Sequence, residues 1–312
     1  MDLESHVRSC GHGGSLTHEA DSHQSTTLKP IAHFGNESSS RPSARFSSVP
    51  EQTADHRSII DAILDNCRRS TLPYQQAHRG DAFGTAFWFN DLVSEDDDSE
   101  TYSQYLVPAG SLTRYDLAEI RLRRELSDTP MSANALMMPQ FREGWTPLGD
   151  SGVSVLPAAV LHALARRKKW AWATDEITDG IAAKPEDIAL LDDGPVPAYA
   201  LGHDVGPDRT QREQAVVIGE VTRRGDGHGF VWGGHVPEGC AGAPVFVGLH
   251  LADRSFKLVC LGVLLPGEGE GATACHPVAA FDRIRTAVRA LPQPSDATTA
   301  TPAPSRWWRR RK

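Results

Sequence analysis

The sequence predicts an all-β fold, a double Greek-key barrel with a C-terminal helix and disordered ends. Three observations carry this expectation. Apolar stretches of strand length alternate with polar turns, as at residues 244–251 and 257–265, which a short polar connection joins as in a hairpin. Phe281, Ile284, Val288 and Leu291 then recur at helical spacing after the last strand candidate. The crossover helices that a parallel α/β sheet needs between its strands are lacking, which favours a double barrel closed by one helix.

Length and composition set the domain limits. At 312 residues the chain can bury a sizeable core, while a hydrophobic fraction of 39% is low enough to imply unstructured segments. Residues 1–52 are rich in Ser, Thr, Gly and His without apolar periodicity, so they are expected to be disordered. Residues 53–69 are expected to form a helix leading into the domain, because Ile59, Ile60, Ile63 and Leu64 fall on one face and Thr53 or Asp55 can cap its start. The folded domain is placed at 70–291. A Pro-rich linker and a basic tail follow at 292–312, also expected to be disordered.

The most informative stretch is Gly239-Cys240-Ala241-Gly242-Ala243-Pro244-Val245-Phe246. Glycines around a tight turn, a proline that ends it and an apolar strand are what a backbone needs to turn two N–H groups, those of Gly239 and Ala241, into one small space. The stretch resembles the nucleophile loop of trypsin-like serine peptidases, Gly-x-Ser-Gly-x-Pro before a strand, with Ala241 at the serine position. The oxyanion-hole-like residues are then Gly239, Cys240, Ala241 and Gly242. An ordinary hairpin turn has the same Gly/Pro punctuation, so the resemblance rests on the rest of the chain.

Upstream segments match the same bacterial-type domain in order. Gly84-Thr85-Ala86-Phe87-Trp88-Phe89 resembles its early Gly-Thr-Gly-Phe strand. Tyr105-Leu106-Val107 resembles the strand leading to the histidine, which places the general base at Ser111. Gly152-Val153-Ser154-Val155-Leu156-Pro157 resembles the strand led by the orienting aspartate, here Gly152, with Asp150 an imperfect substitute. Tyr199-Ala200-Leu201-Gly202 and the stretch from Ala215 to Val221 resemble strands of the second barrel. Acyl transfer on this scaffold needs a nucleophile, a base and a group orienting the base. The resemblance implies two six-stranded Greek-key β-barrels; and since the three matched positions, Ser111, Gly152 and Ala241, supply none of these groups, it implies a catalytically inactive homologue that binds a protein or peptide in the former substrate cleft.

The alternative is an active serine or cysteine endopeptidase with a non-standard set, Cys240 being the candidate nucleophile and His228, His235 and His276 the candidate bases. Cys240 stands one position before the place where cysteine relatives of this fold carry theirs, and a free cysteine is more commonly a small apolar residue.

Other classes find less support. A net charge of -8 argues against general nucleic-acid binding. Glu95, Asp96, Asp97, Asp98 and Glu100 read as a solvated acidic hairpin connection. Arg166, Arg167, Lys168 and Lys169, beside Trp170 and Trp172, read as a solvated basic face, with a peptide, nucleic-acid or lipid contact as the alternative. The tail Arg306-Trp307-Trp308-Arg309-Arg310-Arg311-Lys312 reads as disordered, or as a weak contact for an anionic membrane surface or an acidic partner. The five cysteines show neither a disulfide framework nor a zinc pattern, the N-terminal histidines have no ligand spacing, and no cofactor or metal is expected. Without a signal-like or membrane-spanning run, a cytoplasmic location is the expectation.

Overall fold

A computed structural model describes residues 51–78, 81–96, 99–127, 130–227, 229–252, 255–267, 275–292 and 298–300. The expectations for residues 1–50 and for the 301–312 tail lie outside the described residues. So does His228.

Helix α1 (Glu51–Cys67) leads into the first half, which is built from β1 (Thr71–Gln76), β2 (Phe83–Asp96), β3 (Ser99–Pro108), β4 (Leu117–Arg121), β5 (Ala135–Pro139), β6 (Thr146–Pro147) and β7 (Ser154–Pro157). Helix α2 (Ala159–Arg167), β8 (Ile177–Thr178) and α3 (Pro185–Ala189) connect it to the second half. There β9 (Val196–Val205), β10 (Arg212–Arg223), β11 (Phe230–Gly233), β12 (Pro244–His250), β13 (Phe256–Leu264) and β14 (His276–Ala280) are followed by α4 (Phe281–Arg289) and a short β15 (Thr298–Ala300) paired with β3.

The second half is a closed barrel in the order β10-β11-β14-β13-β12-β9. The first half is a sheet in the order β5-β4-β1-β2-β3-β7-β6, with β8 and β15 on side branches, and its hydrogen-bond ladder does not close among the described residues. The predicted two-barrel, trypsin-like architecture with a C-terminal helix is present; its first barrel is shut by side chains rather than by a strand pair.

Strand β2 shows how sequence alternation divides the interior. Successive side chains point to opposite faces, so Ala86 and Trp88 enter the core of the first half beside Leu72, Ile120 and Leu126. Phe87 and Phe89 face the other way, against Phe281 of α4, with ring centroids 6.3 Å and 4.9 Å apart. Helix α4 thus packs over both halves. Its Arg285 is buried, and the guanidinium donates to the carbonyls of Ala182 and Ala183 and to Asp179, in the segment that joins the halves. Arg289 reaches back to the buried carboxylate of Asp91 at 3.0 Å. No helix of the described residues is long and apolar enough to cross a membrane.

Candidate functional site

Topology places the 239–244 loop. Strand β11 neighbours β10 and β14, whereas β12 neighbours β9 and β13, so the chain between them must cross one end of the closed barrel. That crossing faces the first half. Thr85 of β2 holds it there: its N–H donates to the Ala241 carbonyl at 2.8 Å and its hydroxyl to the Gly239 carbonyl at 2.8 Å. The same hydroxyl accepts the N–H of His203 on β9 at 3.1 Å.

The two glycines are required by this close approach. Gly239 and Gly242 have φ of 91° and 90°, in the left-handed region that side chains disfavour. A Cβ at Gly242 would lie 2.1 Å from the Thr85 carbonyl oxygen, and one at Gly239 2.4 Å from that of His203. The Gly242 N–H donates to the Leu264 carbonyl at 2.6 Å. Among the described residues the N–H groups of Gly239 and Ala241 donate to no protein acceptor.

Ser111 and Gly152 come to the same place through β3 and β7. Ala109 forms an isolated bridge with Val153, and the Gly110 N–H donates to the Gly152 carbonyl at 2.7 Å. The nitrogen of Ala109 would lie 3.0 Å from a Cβ on Gly242, which sets this corner directly against the loop. A Cβ on Gly152 would sit 2.8 Å from Leu265 Cδ1, just after the strand that binds Gly242. Ser111, Gly152 and Ala241, distant in sequence, therefore gather where the two halves meet. Ser111 and Gly152 are exposed and Ala241 is half-buried. The side chains presented there are one hydroxyl and one methyl. Asp150, two residues from Gly152, is exposed in the turn before β7.

Cys240 points elsewhere. It is fully buried, and its Sγ would lie 2.7 Å from a Cβ on Gly202 of β9, so the thiol packs into the second barrel. Burial pushes its pKa up to about 12, assisted by the Asp204 carboxylate. A thiol held protonated in this way is not a nucleophile near neutral pH. Of the candidate bases, His235 is exposed, and His276 Nδ1 lies 3.4 Å from the Leu265 carbonyl oxygen.

Two residues behind the loop have roles that the sequence does not announce, although Thr85 falls within the 84–89 segment. Thr85 is the fastener described above. His203 is buried, with Nε2 3.0 Å from Thr71 Oγ1 and Nδ1 without a partner. Its pKa falls to about 3, through burial first and the nearby Arg123 guanidinium second. Arg123 donates to Gln214 Oε1 at 2.8 Å, and Gln214 Nε2 donates to Thr71 Oγ1 at 2.8 Å, which links both halves through one polar network.

No family model matches this sequence, and no curated protein matches it. Similar solved structures include an HtrA-type protease AlgW with a tripeptide, 11% identical with a TM-score of 0.40, covering 71% of this chain and 59% of that one. The Rv3671c protease from M. tuberculosis in its active form is 12% identical with a TM-score of 0.41, covering 82% of this chain and 96% of that one. The catalytically active tobacco etch virus protease with product is 7% identical with a TM-score of 0.42, covering 76% and 82%. At these values no residue role passes from those proteins to this one. The closed antiparallel barrel, the antiparallel sheet beside it and the C-terminal helix fit a two-barrel, trypsin-like fold.

Proposed function

We propose that the chain is a protease-fold protein without proteolytic activity that holds a protein or peptide segment at the corner formed by Ser111, Gly152 and Ala241. One observation supports this above the others: these positions lie together around the fastened 239–244 loop, yet offer no nucleophile paired with a base. Even a trypsin-like site with its triad removed keeps about 10³ to 10⁴-fold acceleration over water, far short of a working peptidase. The N–H groups of Gly239 and Ala241, unengaged by protein acceptors, are suited to receive a carbonyl from a bound chain.

Two measurements test the two parts of this reading. Intact-mass analysis after treatment with a fluorophosphonate should find no adduct; a one-to-one adduct abolished by mutating a serine would overturn the inactivity. A photocrosslinking residue at exposed Ser111 should capture a discrete polypeptide, whereas the same residue at Leu190, exposed elsewhere, should not. Equal capture at both positions would remove the case for a binding corner. Restoring the triad is a poor test, because Gly152 has φ of 75° and an aspartate there would strain the turn and press on Leu265.

A further inference from the structure

The first sheet ends at β5, which pairs with β4 and with no other strand among the described residues. The ladder fixes which backbone groups are left over. Leu122 N–H donates to the Asn134 carbonyl at 2.9 Å, and the Leu117 carbonyl accepts from Ala77 N–H at 3.1 Å on the opposite side of β4. With the register Ile120 to Leu136 and Glu119 to Met137, antiparallel alternation turns the backbone of Leu136 and Met138 toward β4. Ala135 and Met137 turn their N–H and C=O groups to the open edge. Pro139 offers only a carbonyl there, which limits the length of any added strand.

Beside this edge lies a cavity of about 660 Å³, walled on its far side by α2 and the residues after it. Its apolar lining includes Met137, Val160 and Leu164; Met137 and Val160 are 41% and 47% exposed. Arg167 and Lys168 line it as well. With Arg166 and Lys169 they form an exposed run of four cations, none of which makes an ion pair among the described residues. Arg166 and Arg167 suit the C-terminal end of the helix dipole. Lys168 and Lys169 lie beyond the helix and extend the charge toward the slot.

We infer that the slot between β5 and α2 docks an extended acidic segment of a partner protein, which adds to the β5 edge as a strand and sets carboxylates against Arg167 and Lys168. The free backbone groups supply hydrogen bonds that only another extended chain can complete, and the apolar walls take its alternate side chains. The local positive charge, in a chain whose net charge is -8, selects an acidic sequence. A helix or a lipid surface would leave the backbone groups of the edge unpaired. The inference is independent of any role for the 239–244 loop.

Fluorescence anisotropy on the full chain tests it with three labelled octapeptides: alternating glutamate and valine, alternating lysine and valine, and the glutamate peptide N-methylated at alternate nitrogens. The plain glutamate peptide should bind at least about tenfold more tightly than either control. Arg167→Glu with Lys168→Glu should weaken it by at least about tenfold, and so should Met137→Pro, which removes the edge N–H. If Met137→Pro fails to fold, Met137→Glu keeps that N–H and should still weaken the acidic peptide by like charge. Undiminished binding of the N-methylated peptide, or insensitivity to the charge reversal, would overturn the proposal. Phosphatidylglycerol vesicles binding equally to wild type and Met137→Pro, with no peptide binding, would reassign the patch to a lipid surface. A dimer abolished by the same charge reversal would reassign it to a second copy of this chain, and would equally overturn the proposal.

Discussion

The two halves use similar antiparallel strands and shut in different ways. In the second, β9 meets β12 and the ladder returns on itself, so no strand edge is left and anything recognised must meet loops at its mouth. In the first, the ladder stops at β5 and β6, and an apolar cluster that includes Phe141, Trp145, Leu156 and Trp170 fills the interior between them. Backbone closure removes a surface for pairing, whereas closure by side chains keeps one. The difference assigns loop-based contacts to one half and strand-based contacts to the other.

The largest way to break this comparison is to loosen what holds the halves together. Arg285→Ala strips the donors from the carbonyls of Ala182 and Ala183 and leaves Asp179 with Arg289 and Lys184 alone, and should cost about 2–4 kcal/mol in urea unfolding. A loss below about 1 kcal/mol would show that α4 is not the fastening element. Gly242→Ala forces a methyl against the Thr85 carbonyl at a positive φ, and should cost on the order of 3 kcal/mol in the same measurement.

A smaller effect depends on pH. His203 has a pKa near 3 in the folded chain, against an ordinary 6.5, so between those values the unfolded chain binds a proton that the folded chain does not. Its contribution to stability therefore falls as pH drops below 6.5 and is level above it, a loss of about 2 kcal/mol on going from about pH 7 to about pH 5. Half-buried Glu176 and buried Asp91, whose pKa values desolvation raises, act in the opposite direction. Comparison with His203→Gln isolates the histidine: that variant should lack the acid-side loss, and an unchanged pH slope would refute its assignment. The smallest effect sharpens the edge itself. Amide exchange at Ala135 and Met137 should be at least about tenfold faster than at Leu136 and Met138, whereas equal protection would mean that the β5 edge is covered.

Much of this architecture is legible in the sequence where a residue type is demanded locally. Gly239, Gly242 and Pro244 stand out because a turn with positive φ admits few alternatives, and β12, β13 and α4 stand out by apolar run or helical period. The open seam of the first half is not legible. Residues 135–139, Ala-Leu-Met-Met-Pro, are an apolar run with no alternation to read; their alternating burial appears only in the fold, and Pro139 is the one local sign of an edge. His203 is equally silent, and Thr85, although it falls in the 84–89 segment, shows no sign there of its fastening role, because a hydroxyl or an imidazole that works through a partner more than a hundred residues away leaves no periodic trace. The candidate corner could be named in sequence as three separate positions; their meeting depends on β3, β7 and the loop crossing, which only the fold supplies.

The Thr85 fastening also bears on how the chain reaches its native state. Its hydroxyl and the Gly239 carbonyl are separated by 154 residues, and the loop takes its two glycine-only conformations against a strand made early in the chain. Closing so long a segment carries a large entropy cost before any contact rewards it. Chains dominated by distant pairings fold slowly, over milliseconds to seconds. Residues 239–244 should thus be among the last to acquire protection during refolding, after each half has collapsed separately. A newly made chain would spend that interval with the loop unset and the β5 edge already exposed.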